Sequence, residues 1–81
     1  MENFKVRFDN FLMEKLSIGY AEIKLETKFS DLGVDSLDMV ELLIEFEKAF
    51  NIIITDEDSE RIVTIGDAEQ YIRVKLKDGF G

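Results

Sequence analysis

Neither cysteine nor histidine occurs anywhere in this chain of 81 residues, and that absence decides what can hold it together. Small chains often supplement a marginal core with disulfides or a structural metal. Both routes are closed here, because disulfides and thiolate zinc sites need Cys and the other common zinc ligand is missing too. The fold must rest on apolar packing, for which 46% hydrophobic residues and seven Phe suffice. One small domain over residues 1–81 is expected, with the tail 78–81 frayed. No apolar run approaches the ~18 residues that span a bilayer, and Met1-Glu2-Asn3-Phe4-Lys5 lacks the apolar stretch of a secretory leader. A reducing cytoplasm is the expected compartment.

Hydrophobic spacing then predicts the elements. Phe4, Phe8, Phe11, Leu12 and Leu16 recur at helical intervals and predict a first helix of about four turns. Ile18 to Val34 is less periodic and predicts a long ordered loop, with Tyr20, Ile23, Leu25, Phe29 and Leu32 as apolar anchors. Loops of that length in a compact domain are often functional. The clearest helix runs from Ser36 to Phe50, with Asp35 as N-cap. Met39, Leu42, Leu43, Phe46 and Phe50 fall on one side of it, and Asp38, Glu41, Glu45 and Lys48 on the other. Leu37 and Ile44 sit among the charges and are expected to face water, with Val40 and Glu47 on a flank. Asn51-Ile52-Ile53-Ile54 predicts a buried connection. Thr55 then caps a short helix through about Arg61 whose first-turn acids suit the helix dipole. Thr64 to Asp67 repeats the capping pattern before a last helix through about Leu76, with Ala68, Tyr71, Ile72 and Val74 or Leu76 on its apolar side. The fold class expected is all-α: a four-helix bundle with three longer helices and one short third helix.

Charge is distributed unevenly along this bundle. From Phe29 to Glu60 ten acids face one base, Lys48, which leaves −9 in a chain whose net charge is −8. The acidity is therefore local to the clearest helix and its neighbours. It argues against nucleic acid and anionic membranes as partners and in favour of basic protein surfaces. On charge alone, a solvated acidic face that only confers solubility is the favoured reading.

Reactive chemistry is scarce. General-base and nucleophile work most often uses His or Cys, and both are absent. The five glycines are dispersed and form no phosphate loop. Asp56, Asp58 and Glu60 match the first three ligand positions of a calcium loop, but Arg61 stands where the turn needs Gly and Asp67 where a bidentate Glu is expected. No dedicated metal site is expected. Ser36 remains, in Asp35-Ser36-Leu37. A serine there has an ordinary explanation as a first helical residue after a cap. It is also a candidate covalent anchor, because free N–H groups and the dipole at a helix start stabilise an attached phosphate. A phosphodiester-linked arm would import the thiol that an acyl thioester needs and this chain lacks.

At these residues the chain resembles the acyl carrier protein family. The resemblance rests on Phe29-Ser30-Asp31-Leu32-Gly33-Val34-Asp35-Ser36-Leu37-Asp38-Met39-Val40-Glu41-Leu42, and on Thr55 to Ile62 followed by Thr64 to Ile72. It implies an acyl-carrier-like four-helix bundle and a non-catalytic role, in which Ser36 bears 4′-phosphopantetheine and holds growing acyl chains as thioesters for fatty acid or related polyketide-type biosynthesis. It implies that a phosphopantetheinyl transferase delivers the arm from coenzyme A. The other partners implied are synthase enzymes with basic docking surfaces and acyltransferases, served by a monomer. By motif position it assigns partner recognition to Asp35, Leu37, Asp38, Glu41, Ile44, Glu47, Asp56 and Glu60, the last two on the third helix. Phe29, Met39, Val40, Leu43 and Ile62 are the implied acyl-cavity lining. Val34-Asp35 stands where peptidyl carriers tend to have Gly-Gly. Lys48 replaces a common acid, Thr55 a frequent proline, and Met39 a small residue that shapes the cavity.

Overall fold

The computed structural model describes residues 4–77, so the expectation for the tail 78–81 lies outside the described residues. Four helices follow in chain order: α1 (Phe4–Leu16), α2 (Ser36–Phe50), α3 (Asp56–Ser59) and α4 (Ile65–Lys77). The core is drawn from α1, α2, α4 and their connections. Phe8 and Leu12 come from α1, Leu42, Leu43, Phe46 and Phe50 from α2, and Ile65, Ala68 and Ile72 from α4. Phe29, Val34 and Ile62 are buried from the connections.

Aromatic rings join α1 to α2. Phe46 is fully buried and lies 4.7 Å from Phe11 and 5.8 Å from Phe8, centroid to centroid, with the Phe8 ring almost parallel to it at 8°. Phe4 extends the stack to Phe50 at 5.6 Å. The separations are those of favourable offset stacking, worth about 0.5–1.5 kcal/mol per pair beyond burial. On the other flank of α1, the Lys5 ammonium lies between the carboxylates of Asp9, at 3.3 Å, and Glu69 of α4, at 3.5 Å. Arg73 donates to the same Glu69 at 2.7 Å and stacks over Phe4. These pairings neutralise two buried carboxylates that would otherwise be costly.

The long connection differs from the loop expected. It contains two 3-10 turns, Tyr20–Glu22 and Phe29–Leu32. Phe29 is buried, and Ile23 and Leu32 pack against the core, but Tyr20 and Leu25 are exposed and anchor nothing. Backbone hydrogen bonds tie this segment to the start of α4. Phe29 N–H donates to Val63 O at 3.0 Å, Ile65 N–H to Thr27 O at 2.9 Å and Gly66 N–H to Leu25 O at 2.9 Å. A main chain held by three such bonds does not need every apolar side chain inside.

Two further expectations are corrected, and the alternative on α4 is resolved. The 51–54 connection is only half inside, because Ile53 is 74% exposed while Ile52 and Ile54 pack against the core. Helix α3 ends at Ser59 rather than near Arg61, and it contributes no buried residue. Acids in its first turn favour its start, but without an apolar face nothing extends it. Val74 of α4 is exposed, so Leu76 and Tyr71 complete that helix's apolar side. The caps stand as expected. Thr55 Oγ1 accepts from Asp58 N–H, and Thr64 Oγ1 accepts from Asp67 N–H, whose carboxylate takes Thr64 N–H in return. Tyr71 fastens α3 to α4 through its hydroxyl, which donates to Asp58 Oδ2 at 2.7 Å.

Two predictions follow from these packings. A Cβ added at Gly66 would lie 2.9 Å from Leu25 O, against rigid backbone, whereas one at Gly19 meets only the Glu22 carboxylate at 3.8 Å. Gly66→Ala is expected to lose about 1–3 kcal/mol of stability by forcing the two segments apart, and Gly19→Ala to stay close to wild type in the same urea titration. The Tyr71–Asp58 bond adds a pH signature. Burial, then the bond to Asp58, raises Tyr71 from 10.0 to about 12, while the Tyr71 hydrogen bond holds Asp58 below 3.8. The phenol's contribution is whole below its ordinary value and is lost as pH rises through the folded one; the carboxylate's is whole above its ordinary value and is lost as pH falls below it. The melting-temperature gap between wild type and Tyr71→Phe should therefore be flat between about pH 4 and 10 and narrow on both sides.

Candidate functional site

The approach to Ser36 is built by its preceding turn. Phe29 and Val34, both buried, bracket the second 3-10 turn. Gly33 closes that turn with φ at +85°, a left-handed conformation that other residues adopt only at a cost. Val34 N–H then donates to Phe29 O at 3.1 Å, which plants Val34 in the core and sends Asp35 outward in extended conformation. Asp35 caps α2: its Oδ1 accepts Asp38 N–H at 2.9 Å, and Asp38 Oδ2 reaches back to Asp35 N–H at 3.4 Å. Because Asp35 supplies the capping oxygen, Ser36 is spared that role. It stands exposed as the first residue of α2.

Two N–H groups of the first turn, those of Ser36 and Leu37, fall outside the capping box and the first helical bond, Met39 N–H to Asp35 O. They are the donors a phosphodiester on Ser36 Oγ could use. The exposed hydroxyl, its freedom from capping and these adjacent donors fit a phosphate-linked arm. Ser36, Val40, Leu43 and Glu47 share one side of α2 at about 100° per residue. On that side a cleft of about 220 Å³ opens between α2 and α3, walled by Val40, Leu43, Ile44, Ile54, Asp56 and Ser59 with Glu47 at its edge. A larger cleft, about 670 Å³, lies off the face that carries Asp38, Leu42 and Glu45, where Lys15 pairs with Glu45 at 3.4 Å. Size favours the second cleft, but position relative to Ser36 favours the first.

Around Ser36 the exposed residues alternate charge and hydrocarbon. Asp35, Asp38 and Glu41 are exposed, as are Leu37 at 77% and Ile44. Val40 is 55% exposed, in keeping with its flank position, and both adds to this apolar surface and lines the α2–α3 cleft. Asp56 opens α3, but Glu60 lies one residue beyond that helix's end, at its C-cap. Glu47 is half-buried, and its carboxylate accepts Ile54 N–H at 2.7 Å. No local signal points to that bond, which depends on how the chain reverses after α2.

The five expected cavity residues do not converge on one opening. Val40 and Leu43 line the α2–α3 cleft, Phe29 and Ile62 lie buried in the core, and Met39 packs half-buried against it. Ile62 also borders a separate groove of about 310 Å³ between the end of α3 and α4. Among the described residues no group of three or more His, Cys, Asp or Glu is placed to hold a metal ion. No helix among them is long and apolar enough to cross a membrane.

Residues 10–72 match the family described as "Phosphopantetheine attachment site". The chain is 42% identical over 79 residues to an acyl carrier protein of Karelsulcia muelleri, covering 96% of this chain and 95% of that one. It is 42% identical over 78 residues to an acyl carrier protein of Porphyromonas gingivalis, covering 95% and 100% respectively. Its fold resembles the crystal structure of an acyl carrier protein from Thermotoga maritima, with a TM-score of 0.76 and 28% identity over 91% of this chain and 87% of that one. An all-helical bundle, an exposed serine opening its acidic second helix and near full-length similarity agree: the chain belongs to the acyl carrier protein family, whose prosthetic group is 4′-phosphopantetheine.

Proposed function

We propose that this protein carries growing acyl chains for fatty acid or related polyketide-type biosynthesis on a 4′-phosphopantetheine arm attached to Ser36. The observation that carries the assignment to this residue is local: Ser36 is exposed as the first residue of α2 while Asp35 does the capping. The arm, once attached, supplies a terminal thiol for thioester chemistry. This chain's own residues anchor, orient and present it. The Ser36 oxygen attacks the pantetheine-side phosphorus of coenzyme A and becomes the ester oxygen of the phosphodiester. The pyrophosphate bond of coenzyme A breaks, adenosine 3′,5′-bisphosphate leaves, and the serine proton passes to a base of the phosphopantetheinyl transferase, since no His is available here. Reaction at the thiol takes place in partner enzymes, which makes this protein a substrate carrier rather than a catalyst. The compartment consistent with the absence of cysteine and of a membrane-spanning helix among the described residues is the cytoplasm, where the chain works as one monomeric carrier domain.

Recognition belongs to the exposed side of α2. Asp35, Asp38 and Glu41, with Leu37, Val40 and Ile44 between them, offer basic partners steering by charge and a small apolar seat. Asp56 and Glu60 extend the acidic surface beyond the cleft. Contacts of this kind form fast, dissociate fast and weaken with salt. The acyl chain shelters in the cleft between α2 and α3, entering past Val40 and Leu43. Each methylene buried contributes about 0.8 kcal/mol at most, so a medium chain can offset modest repacking and still leave.

Incubation with coenzyme A and a phosphopantetheinyl transferase should add the mass of a single arm to the native chain and none to Ser36→Ala. An arm on the mutant, or none on the native chain with several transferases, would sink the assignment and favour an acidic interaction module. The double reversal Asp38→Lys with Glu41→Lys should slow this modification at low salt by tenfold or more, about 1.4 kcal/mol of lost docking, with an unchanged circular dichroism spectrum. Equal rates at low salt would remove α2 from the docking surface.

A further inference from the structure

Glu47 is placed by its motif position on the outer recognition surface, yet its carboxylate is turned to an internal use. Three N–H groups of the reversing chain converge on this one residue. Its backbone carbonyl accepts from Asn51, the left-handed cap of α2, and from Ile52 at 3.2 Å. Its side-chain Oε2 accepts Ile54 N–H at 2.7 Å across a half-buried gap. Ile54 is a wall of the α2–α3 cleft, and α3 begins two residues later. That helix is four residues long and buries no side chain. Besides the packing of Ile54 and Ile62 on either side of it, it is attached at its edges by Tyr71 to Asp58 on the α4 side and by the Glu47–Ile54 bond on the α2 side.

We propose that Glu47 is a positioning residue for the cargo: by holding Ile54 across the α2–α3 cleft it keeps α3 closed over a sheltered acyl chain and sets how fast that chain leaves. The proposal rests on the reading that the chain shelters in this cleft. The charged acceptor makes the bond strong for its size, since hydrogen bonds to ionised groups exceed neutral ones. The two carbonyl bonds from Asn51 and Ile52 do not involve the side chain, so the reversal after α2 survives its removal while Ile54 is released. Position and chemistry together thus separate the latch from the fold.

Hydrogen exchange at the Ile54 amide, measured first on the protein without cargo, reads the latch directly. Glu47→Ala should speed exchange at Ile54 by about tenfold or more, leaving the core amides of Phe46 and Ile72 unchanged, and Glu47→Gln, whose neutral amide oxygen still accepts but more weakly, should fall between wild type and Glu47→Ala. The second measurement loads the thiol of the arm on Ser36 with an octanoyl or an acetyl group and follows cleavage of the thioester by hydroxylamine. In wild type octanoyl should be cleaved several-fold more slowly than acetyl. Glu47→Ala should bring the two rates together, with Glu47→Gln restoring part of the difference. Unchanged Ile54 exchange in Glu47→Ala overturns the latch. Faster exchange with an undiminished octanoyl-to-acetyl difference overturns its control of cargo. Equal octanoyl and acetyl rates in wild type overturn the sheltering itself and with it the control of cargo, while the exchange measurement on the unloaded protein still reports separately whether the latch exists.

Discussion

The stack of Phe rings around Phe46 is the interaction on which the rest of the structure depends. In a chain without disulfide or metal, removing such a ring costs about 3–5 kcal/mol, a large part of the ~5–15 kcal/mol that a small domain possesses. Phe8 and Phe11 from α1 meet Phe46 of α2, and Phe4 reaches Phe50. Burying that face of α2 fixes the helix's rotation. The opposite face, with Leu37, Asp38, Glu41 and Ile44, is then left exposed. The exposed side of α2 is thus what remains of that helix once its aromatic side has been committed to the core.

Rigidity and looseness are divided along the same lines. Phe29 and Val34 in the core, Gly33 in its left-handed turn and the backbone bonds from 25–29 to 63–66 hold the approach to Ser36 in one place. An anchor benefits from this, because the arm's reach is measured from a fixed point. Helix α3 is the contrast. It lacks buried side chains and is held by polar contacts from its two neighbours. Local opening is easiest where few apolar contacts must be broken. A carrier that must both shelter and release its cargo gains from a movable wall beside a fixed anchor.

Much of this was legible in the sequence. The 3.6-residue spacing from Met39 to Phe50 located α2 to the residue, and Asp35, Thr55 and Thr64 marked helix starts because their side-chain oxygens suit orphan N–H groups. Elements without strong periodicity were read less well. Tyr20, Leu25 and Ile53 are apolar, but sequence alone could not tell that backbone bonding would settle their segments and leave them outside. The end of α3 was overrun because its acids argue for a start and carry no information on where packing stops.

What the sequence determined by itself was the class of fold and the setting of Ser36: apolar packing as the source of stability, an amphipathic acidic second helix, and a serine just after its cap. These are local or periodic properties, written in neighbouring residues. The tertiary structure decided which cleft lies on the Ser36 side of α2, that Val40 lines it while staying exposed, and that Glu47 turns to Ile54 rather than outward. Those outcomes depend on how α3 and the 51–54 reversal come to rest against α2, and contacts between segments that no periodicity links are settled only when the chain has folded.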